Sequence, residues 1–214
     1  MYPQINKKSG WQGCNLTEIN GGKCNTEEDF YKACRAASIL GTLQAGYTDF
    51  KFLTKTSKQI FDREALLGVS ITGWMNNPTI LFNANVLKKG AEIVKAVNRE
   101  VAAIIGINPA ARTTCVKPSG NASVLLQTAS GIHAEHSPMY IRNVQMNKES
   151  EITQAITRTN PYMVEESVWS STGSDVVVSF PILPNKGSKY KEELLGINHL
   201  ELVKKAQKYW VETG

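Results

Sequence analysis

The residues best suited to chemistry stand in Arg112-Thr-Thr-Cys-Val-Lys-Pro-Ser-Gly-Asn-Ala-Ser123, where a short β-branched run passes through a Pro-Ser-Gly turn into a helix start. A helix beginning at such a turn aims unpaired N–H groups and the positive end of its dipole at the space in front of it, which favours an anion. Gly120 lets the backbone approach a phosphate closely, and Ser119, Asn121 and Ser123 add side chains able to hydrogen-bond to one. With Pro118 and Ala122 they make a candidate phosphate loop, Pro118 to Ser123. The tripeptide Pro118-Ser119-Gly120 alone is equally a plain turn followed by an N-cap, so its neighbours must decide.

Thiols are the second chemical resource. Cys14, Cys24, Cys34 and Cys115 form no Cys-x-x-Cys pair and have no His at zinc-ligand spacing, so no metal site is expected. In a reducing compartment the default for each is a small buried hydrophobe, the expectation for Cys34 on a helix and Cys115 in a strand.

These residues need elements to hold them. A strand from Cys14 to Ile19 leads to Thr26-Glu-Glu-Asp29, a capping-box start for a helix with Phe30, Cys34, Ala37 and Leu40 on its apolar face. Lys58 to Leu67 reads as a helix, Gly68 to Gly73 as a buried strand or close-packed loop, and Asn76-Asn-Pro78 as a turn. Ala91 to Ile105 is the clearest helix, with Ile93, Val97, Val101 and Ile104 on one stripe and Gly106 as its stop. Further on come a strand from Met139 to Met146, a helix from Glu149 to Thr159, a strand from Asp175 to Phe180 stopped by Pro181, and a last helix opening at Asn198. Alternating strands and helices predict an α/β fold with a mainly parallel sheet.

At 214 residues with 42% hydrophobic side chains, the chain is long enough for one large domain or two small ones around a buried core. Its net charge of +5 is spread along the sequence, which fits phosphorylated substrates and argues against nucleic acid as a partner. An apolar run long enough to span a membrane and a signal-peptide core are both lacking, so a cytoplasmic location and no membrane partner are expected.

Seven pieces of the chain, in order, carry a resemblance. They are Gly13-Cys-Asn-Leu-Thr-Glu-Ile-Asn20, Gly41-Thr-Leu-Gln-Ala-Gly-Tyr-Thr-Asp-Phe50, Glu64-Ala-Leu-Leu-Gly-Val-Ser-Ile-Thr-Gly73, Ile105-Gly-Ile-Asn-Pro-Ala-Ala-Arg112, Pro118 to Ser123, Ser130-Gly-Ile-His133 and Tyr140-Ile-Arg142. The series resembles the C-terminal part of the catalytic subunit of ribonucleotide reductase, densest from Cys14 to Arg142 and most like the adenosylcobalamin-dependent branch, class II. Class I chains usually show an acidic residue and extra hydroxyls after Pro-Ser, where this one has Gly120-Asn121-Ala122.

The resemblance implies a ten-stranded α/β barrel with a central finger loop, of which residues 1–214 are roughly the second half, a single C-terminal fragment. Half a barrel leaves strand edges open, so an N-terminal half is expected as a separate chain or a missing segment. The family's thiyl-forming Cys, in an Asn-x-Cys-x-Glu motif about ten residues before the counterpart of Cys14, would fall at Met1 to Gln4, where it is absent.

The implied reaction is reduction of a ribonucleoside di- or triphosphate at the ribose 2′ position by a thiyl-radical mechanism, with adenosylcobalamin as cofactor and a thioredoxin-type reductant as partner. Cys14 is then one of two redox thiols, the other lying upstream, and Cys24 is not its partner. Pro118 to Ser123 holds the substrate phosphates. His133 is a candidate contact to substrate or cofactor and also a candidate structural hydrogen-bonding residue; Asn15 and Glu18 shape the strand around Cys14, and Tyr140 is core packing. The alternative is a catalytically inactive nucleotide-binding or assembly module derived from the same barrel.

Overall fold

The computed structural model describes residues 3–214. It opens with a hairpin of β1 (Gln4–Ile5) and β2 (Lys8–Ser9), whose turn residues Asn6 and Lys7 both take positive φ, as a two-residue hairpin loop requires. β3 (Asn15–Asn20) leads to α1 (Glu27–Ala45). The Thr26 hydroxyl accepts from the Asp29 N–H and the Asp29 carboxylate accepts from the Thr26 N–H, the capping box expected from the sequence.

α2 (Lys55–Glu64) begins at Lys55 and not at Lys58, because the Thr54 hydroxyl accepts from the Ser57 N–H and sets the start there. β4 (Leu67–Thr72) is followed by a 3-10 turn over Trp74–Asn76 and by α3 (Pro78–Leu81), so the expected Asn-Asn-Pro turn is a short helix with Pro at its first position. α4 (Ala84–Ile105) starts earlier than Ala91, capped by Asn83, whose side chain accepts from the N–H groups of Asn85 and Val86. It stops at Gly106, in the left-handed region at φ +74.

β3 and β4 pair in parallel, Asn15 opposite Leu67 through to Asn20 opposite Thr72. On the other side of β4 runs the segment after α4: the Leu67 and Val69 N–H groups donate to the carbonyls of Arg112 and Thr113, and the Cys115 N–H donates to the Val69 carbonyl. The strand expected around Cys115 is thus a single parallel bridge, Thr114 to Val69, before Pro118 turns the chain into α5 (Gly120–Leu126).

Side chains alternate across the sheet. Ile19, Leu67, Val69 and Ile71 join the apolar core with α1 and α4, leaving Gly68, Ser70 and Thr72 on the opposite face. The two helices approach closely over small residues: a Cβ on Gly90 would stand 2.5 Å from the Phe30 ring. The stripe expected on α1 holds at Phe30, Cys34 and Ala37, but Leu40 is 62% exposed and Ser38, Gly41 and Thr42 are buried in its place. On α4 the buried positions include Val86, Leu87, Gly90 and Ala91 and, further on, Val94, Val97, Asn98 and Ala102, while Ile104 is exposed. Polar residues displace the expected apolar ones because they are satisfied: Asn98 Nδ2 donates to Thr42 Oγ1 at 2.9 Å, and its Oδ1 accepts from the Ala110 N–H at 2.8 Å.

His136–Pro184 form a second compact unit. It holds β5 (Tyr140–Asn147), α6 (Glu151–Thr159), β6 (Val164–Glu166) and β7 (Asp175–Ile182), with the strands antiparallel in the order β5-β7-β6. The sheet expected to be mainly parallel is therefore parallel only in the first unit. Pro181 does not stop β7: β6 pairs only with Val176–Val178, so Pro181 lies where β7 has lost that neighbour and its missing N–H is tolerated.

Back in the first unit, α7 (Gly196–Ala206) starts ahead of Asn198 and continues into a π-helical turn, Gln207–Val211, that buries Trp210. Trp210 Nε1 donates to the Cys115 carbonyl at 3.1 Å, and the Thr114 hydroxyl donates to the Trp210 carbonyl at 2.7 Å. The C-terminal turn thereby fixes the segment that leads to Pro118. Among the described residues the strands pair in sets of two and three, and no helix is long and apolar enough to cross a membrane.

Candidate functional site

The polar face of the β3-β4 sheet gathers the chemistry. Cys14, Leu16, Glu18 and Asn20 alternate onto one face of β3 and its leading residue, Gly68, Ser70 and Thr72 onto the same face of β4, with Cys115 and Lys117 beside them. Gly68 makes room: a Cβ there would meet the Cys14 sulfur at 2.6 Å and the Cys115 sulfur at 3.2 Å. The two thiols are thus neighbours across a strand that carries no side chain between them.

One rung further along, Glu18 and Lys117 face each other across Ser70. Glu18 Oε2 lies 3.3 Å from Lys117 Nζ, and the side chains are 8% and 27% exposed respectively, so this pair is screened less than a surface salt bridge. The Ser119 hydroxyl donates to Glu18 Oε1, and the Ser70 hydroxyl accepts from the Lys117 N–H at 3.2 Å. Asn20 reaches the far end of α5, its Nδ2 donating to the Leu126 carbonyl at 2.9 Å.

Ser119 takes φ +63, a conformation that costs a residue with a side chain on the order of 1 kcal/mol, and its hydrogen bond to Glu18 offsets that cost. The loop is buttressed from behind. Ser130 Oγ donates to the Pro118 carbonyl at 2.7 Å, and a Cβ on Gly131 would stand 2.8 Å from the Lys117 carbonyl oxygen, so only glycine fits there.

The expected loop residues divide. Ser119 and Ser123 are buried with their hydroxyls committed, Ser119 to Glu18 and Ser123 to the Gly120 carbonyl at 2.8 Å. Ser119 is the N-cap residue by position, yet makes no side-chain cap. Pro118, Gly120 and Asn121 are exposed and Ala122 is half-buried, and the space where a Gly120 Cβ would sit is open. The first-turn N–H groups have no intrahelical partners. An anion at this turn would meet backbone N–H groups and Asn121, and not the serine hydroxyls.

Cys14 is exposed as a residue and its thiol is half-covered; burial raises its pKa, and the Lys117 ammonium opposes this. Cys115 is pushed up to about 11, by burial first and then by Cys14, with Lys117 lowering it and Glu18 adding to the rise. Cys24 is buried with its thiol directed at the Asn20 carbonyl, and Cys34 is fully buried, as a hydrophobe should be. His133 is exposed, its Nδ1 2.9 Å from the Ser130 carbonyl oxygen and its ring 6.1 Å from that of His199. Tyr140, in the second unit, is half-buried and its hydroxyl accepts from Arg142 Nη2 at 2.9 Å. No group of three or more His, Cys, Asp or Glu able to hold a metal occurs among the described residues.

Sequence reasoning took Cys115 for an inert hydrophobe and passed over Lys117, Gly68 and Ser70. The signal was present as alternation: Cys14-x-x-x-Glu18, Gly68-x-Ser70-x-Thr72 and Cys115-x-Lys117 each put polar or small residues on one face of an extended segment.

No family model matches the chain. It is 27% identical over 205 residues to a probable adenosylcobalamin-dependent ribonucleoside-triphosphate reductase of Dictyostelium discoideum, covering 93% of this chain and 26% of that protein. It is 22% identical to the adenosylcobalamin-dependent ribonucleoside-triphosphate reductase of Euglena gracilis, over 93% of this chain and 27% of the relative. The chain therefore spans about a quarter of the length of these curated relatives. Its fold matches the crystal structure of a B12-dependent, class II ribonucleotide reductase with a TM-score of 0.75 at 16% identity, over 92% of this chain and 31% of that one. The resemblance carried by the stretch from Cys14 to Arg142 is thus borne out, and this chain is a relative of the adenosylcobalamin-dependent, class II ribonucleotide reductases.

Proposed function

We propose that this chain is the C-terminal part of the catalytic barrel of a ribonucleotide reductase, working with the rest of the barrel, on the same polypeptide or on another. The observation that carries this reading is the placing of the Cys14 thiol and the loop from Lys117 to Ser123 on one polar sheet face, joined by Glu18. A phosphate held at the turn by the N–H groups of Gly120 and Asn121 would fix the attached sugar relative to the thiols, and such orientation is the main contribution a rigid sheet can make.

In the reaction, the 2′ carbon–oxygen bond breaks, the hydroxyl leaves as water and a hydrogen takes its place. Two electrons and two protons come from a pair of thiols, which end as a disulfide. Cys14 is one of the pair and its partner lies upstream, in the rest of the barrel. A thioredoxin-type dithiol restores both by exchange.

The cofactor named for the relatives supplies the radical that starts such chemistry. The polar face gathers two thiols, a carboxylate, an ammonium and a serine hydroxyl, groups that suit a nucleotide and thiol exchange, and we derive no step through the cofactor.

The test is ribonucleotide reduction by this chain mixed with adenosylcobalamin, a dithiol and a polypeptide that supplies the rest of the barrel, beside this chain alone. Turnover only in the mixture supports the reading. No turnover in either, with nucleotide binding retained, replaces it with an inactive nucleotide-binding module.

A further inference from the structure

The polar face has two rungs across β4. Cys14 and Cys115 meet over Gly68, and Glu18 and Lys117 meet over Ser70. Cys14 and Glu18 come from one side of the strand, with Leu16 between them, and Cys115 and Lys117 from the other, so Lys117 stands one rung along from Cys115 on the face that holds both sulfurs. Lysine side chains on surfaces sample many rotamers, but this one is held at both ends. Its main-chain N–H is fixed by the Ser70 hydroxyl, and its Nζ lies 3.3 Å from a carboxylate whose other oxygen is engaged by Ser119.

We propose that Lys117 is the positioning residue for the thiol chemistry of Cys14: its ammonium stabilises the anion that forms on the Cys14 sulfur whenever that sulfur attacks a disulfide or is displaced from one. In the attack, the Cys14 thiolate forms a bond to one sulfur of an external disulfide, the old sulfur–sulfur bond breaks, and the other half leaves as thiolate. In the reverse step an external dithiol attacks and the Cys14 sulfur departs with the electron pair. Negative charge on that sulfur is common to both directions, and a fixed cation in a partly buried setting favours it in both.

The charged and titratable groups acting at this thiol pair are Lys117, Glu18 and Cys115. Burial alone makes Cys14 a poor thiolate, and Lys117 is the group that opposes burial there. Glu18 fixes the lysine in place, and burial keeps Cys14 a resting thiol and not a permanent anion. The inference deepens the reading of Cys14 as a redox thiol, but its test needs no nucleotide reduction.

The experiment measures the alkylation rate of Cys14 by iodoacetamide in the full chain, resolved peptide by peptide by mass spectrometry, from about pH 6 to about pH 10, a range that brackets ordinary thiol ionisation. Lys117→Gln should slow Cys14 about tenfold at pH values where the thiol form dominates, and Lys117→Arg should restore the rate to within about threefold, the order of effect that a nearby opposite charge has on an ionisable group. Cys34, buried at 0% exposure, reports folding in the same digest by staying protected. In the unmodified chain, added salt should slow Cys14 because it screens the lysine while leaving the neutral reagent unaffected. An unchanged rate in Lys117→Gln, an equal slowing in Lys117→Arg, or indifference to salt overturns the proposal. Loss of nucleotide reduction in the reconstituted mixture bears on the proposed function and leaves this result standing.

Discussion

Gly68→Ala tests the thiol rung directly. The added methyl would stand 2.5 Å from Leu16 Cδ2, 2.6 Å from the Cys14 sulfur and 3.2 Å from the Cys115 sulfur. Unstrained contacts fall at about 3.5–4.0 Å, so the first two atoms must each retreat by roughly an ångström. All three are side-chain ends; Leu16 is 44% exposed and Cys14 is exposed, and both can swing toward solvent. The stability cost should therefore sit at the low end of overpacking, about 1 kcal/mol, offset by about 0.5 kcal/mol from the stiffer unfolded chain of alanine. The thiols, by contrast, lose their shared space. The assay pairs urea denaturation with cross-linking by a short bifunctional thiol reagent such as dibromobimane, locating the cross-link by mass spectrometry. The wild-type chain should give a Cys14–Cys115 product, and Gly68→Ala should lose most of it while unfolding near the wild-type midpoint. A full yield in the variant, or a destabilisation beyond about 3 kcal/mol, would show that the methyl is not accommodated by the side chains named.

Three further outcomes follow from the same geometry. Cys14→Ser in the reconstituted mixture should abolish multiple turnovers with a thioredoxin-type reductant, and sustained turnover would remove Cys14 from the redox pair. Asn98→Ala strips the Ala110 N–H of its acceptor and removes one bond from the Thr42 hydroxyl, which keeps its donation to the Ser38 carbonyl, and should cost about 2–3 kcal/mol in urea; a loss under about 1 kcal/mol would mean that water or a relaxed backbone replaces it. Cys24 and Cys115, each pushed up to about 11 from 9.0, stay protonated in the folded chain at pH values where the unfolded chain loses those protons. The folded state then binds more protons than the unfolded one, so this contribution is fully present below about pH 9 and is lost as pH rises toward about 11. A urea midpoint that holds or rises across that window would contradict the assignment.

Much of the local structure was legible in sequence because its causes are local. The Thr26 capping box, the Gly106 stop and the extended run after Cys14 each depend on residues within a few positions of one another. Where reading failed, the deciding partner was distant. Asn98 and Thr42 are buried beside the apolar stripes expected on their helices, because each bonds to the other across the two helices. Pro181 sits inside a strand because β6 ends before reaching it.

For the site, sequence alone determined the candidate loop, the thiol before β3 and the family they resemble, since motif order and residue chemistry survive without coordinates. Only the tertiary structure decided that the Ser119 hydroxyl serves Glu18, that Cys115 is a neighbour of Cys14, and that Lys117 pairs with Glu18 on the same face. Those facts arise from parallel pairing, which brings together residues about a hundred positions apart, and from the absence of a side chain at Gly68, a space that becomes visible only when its neighbours are in place.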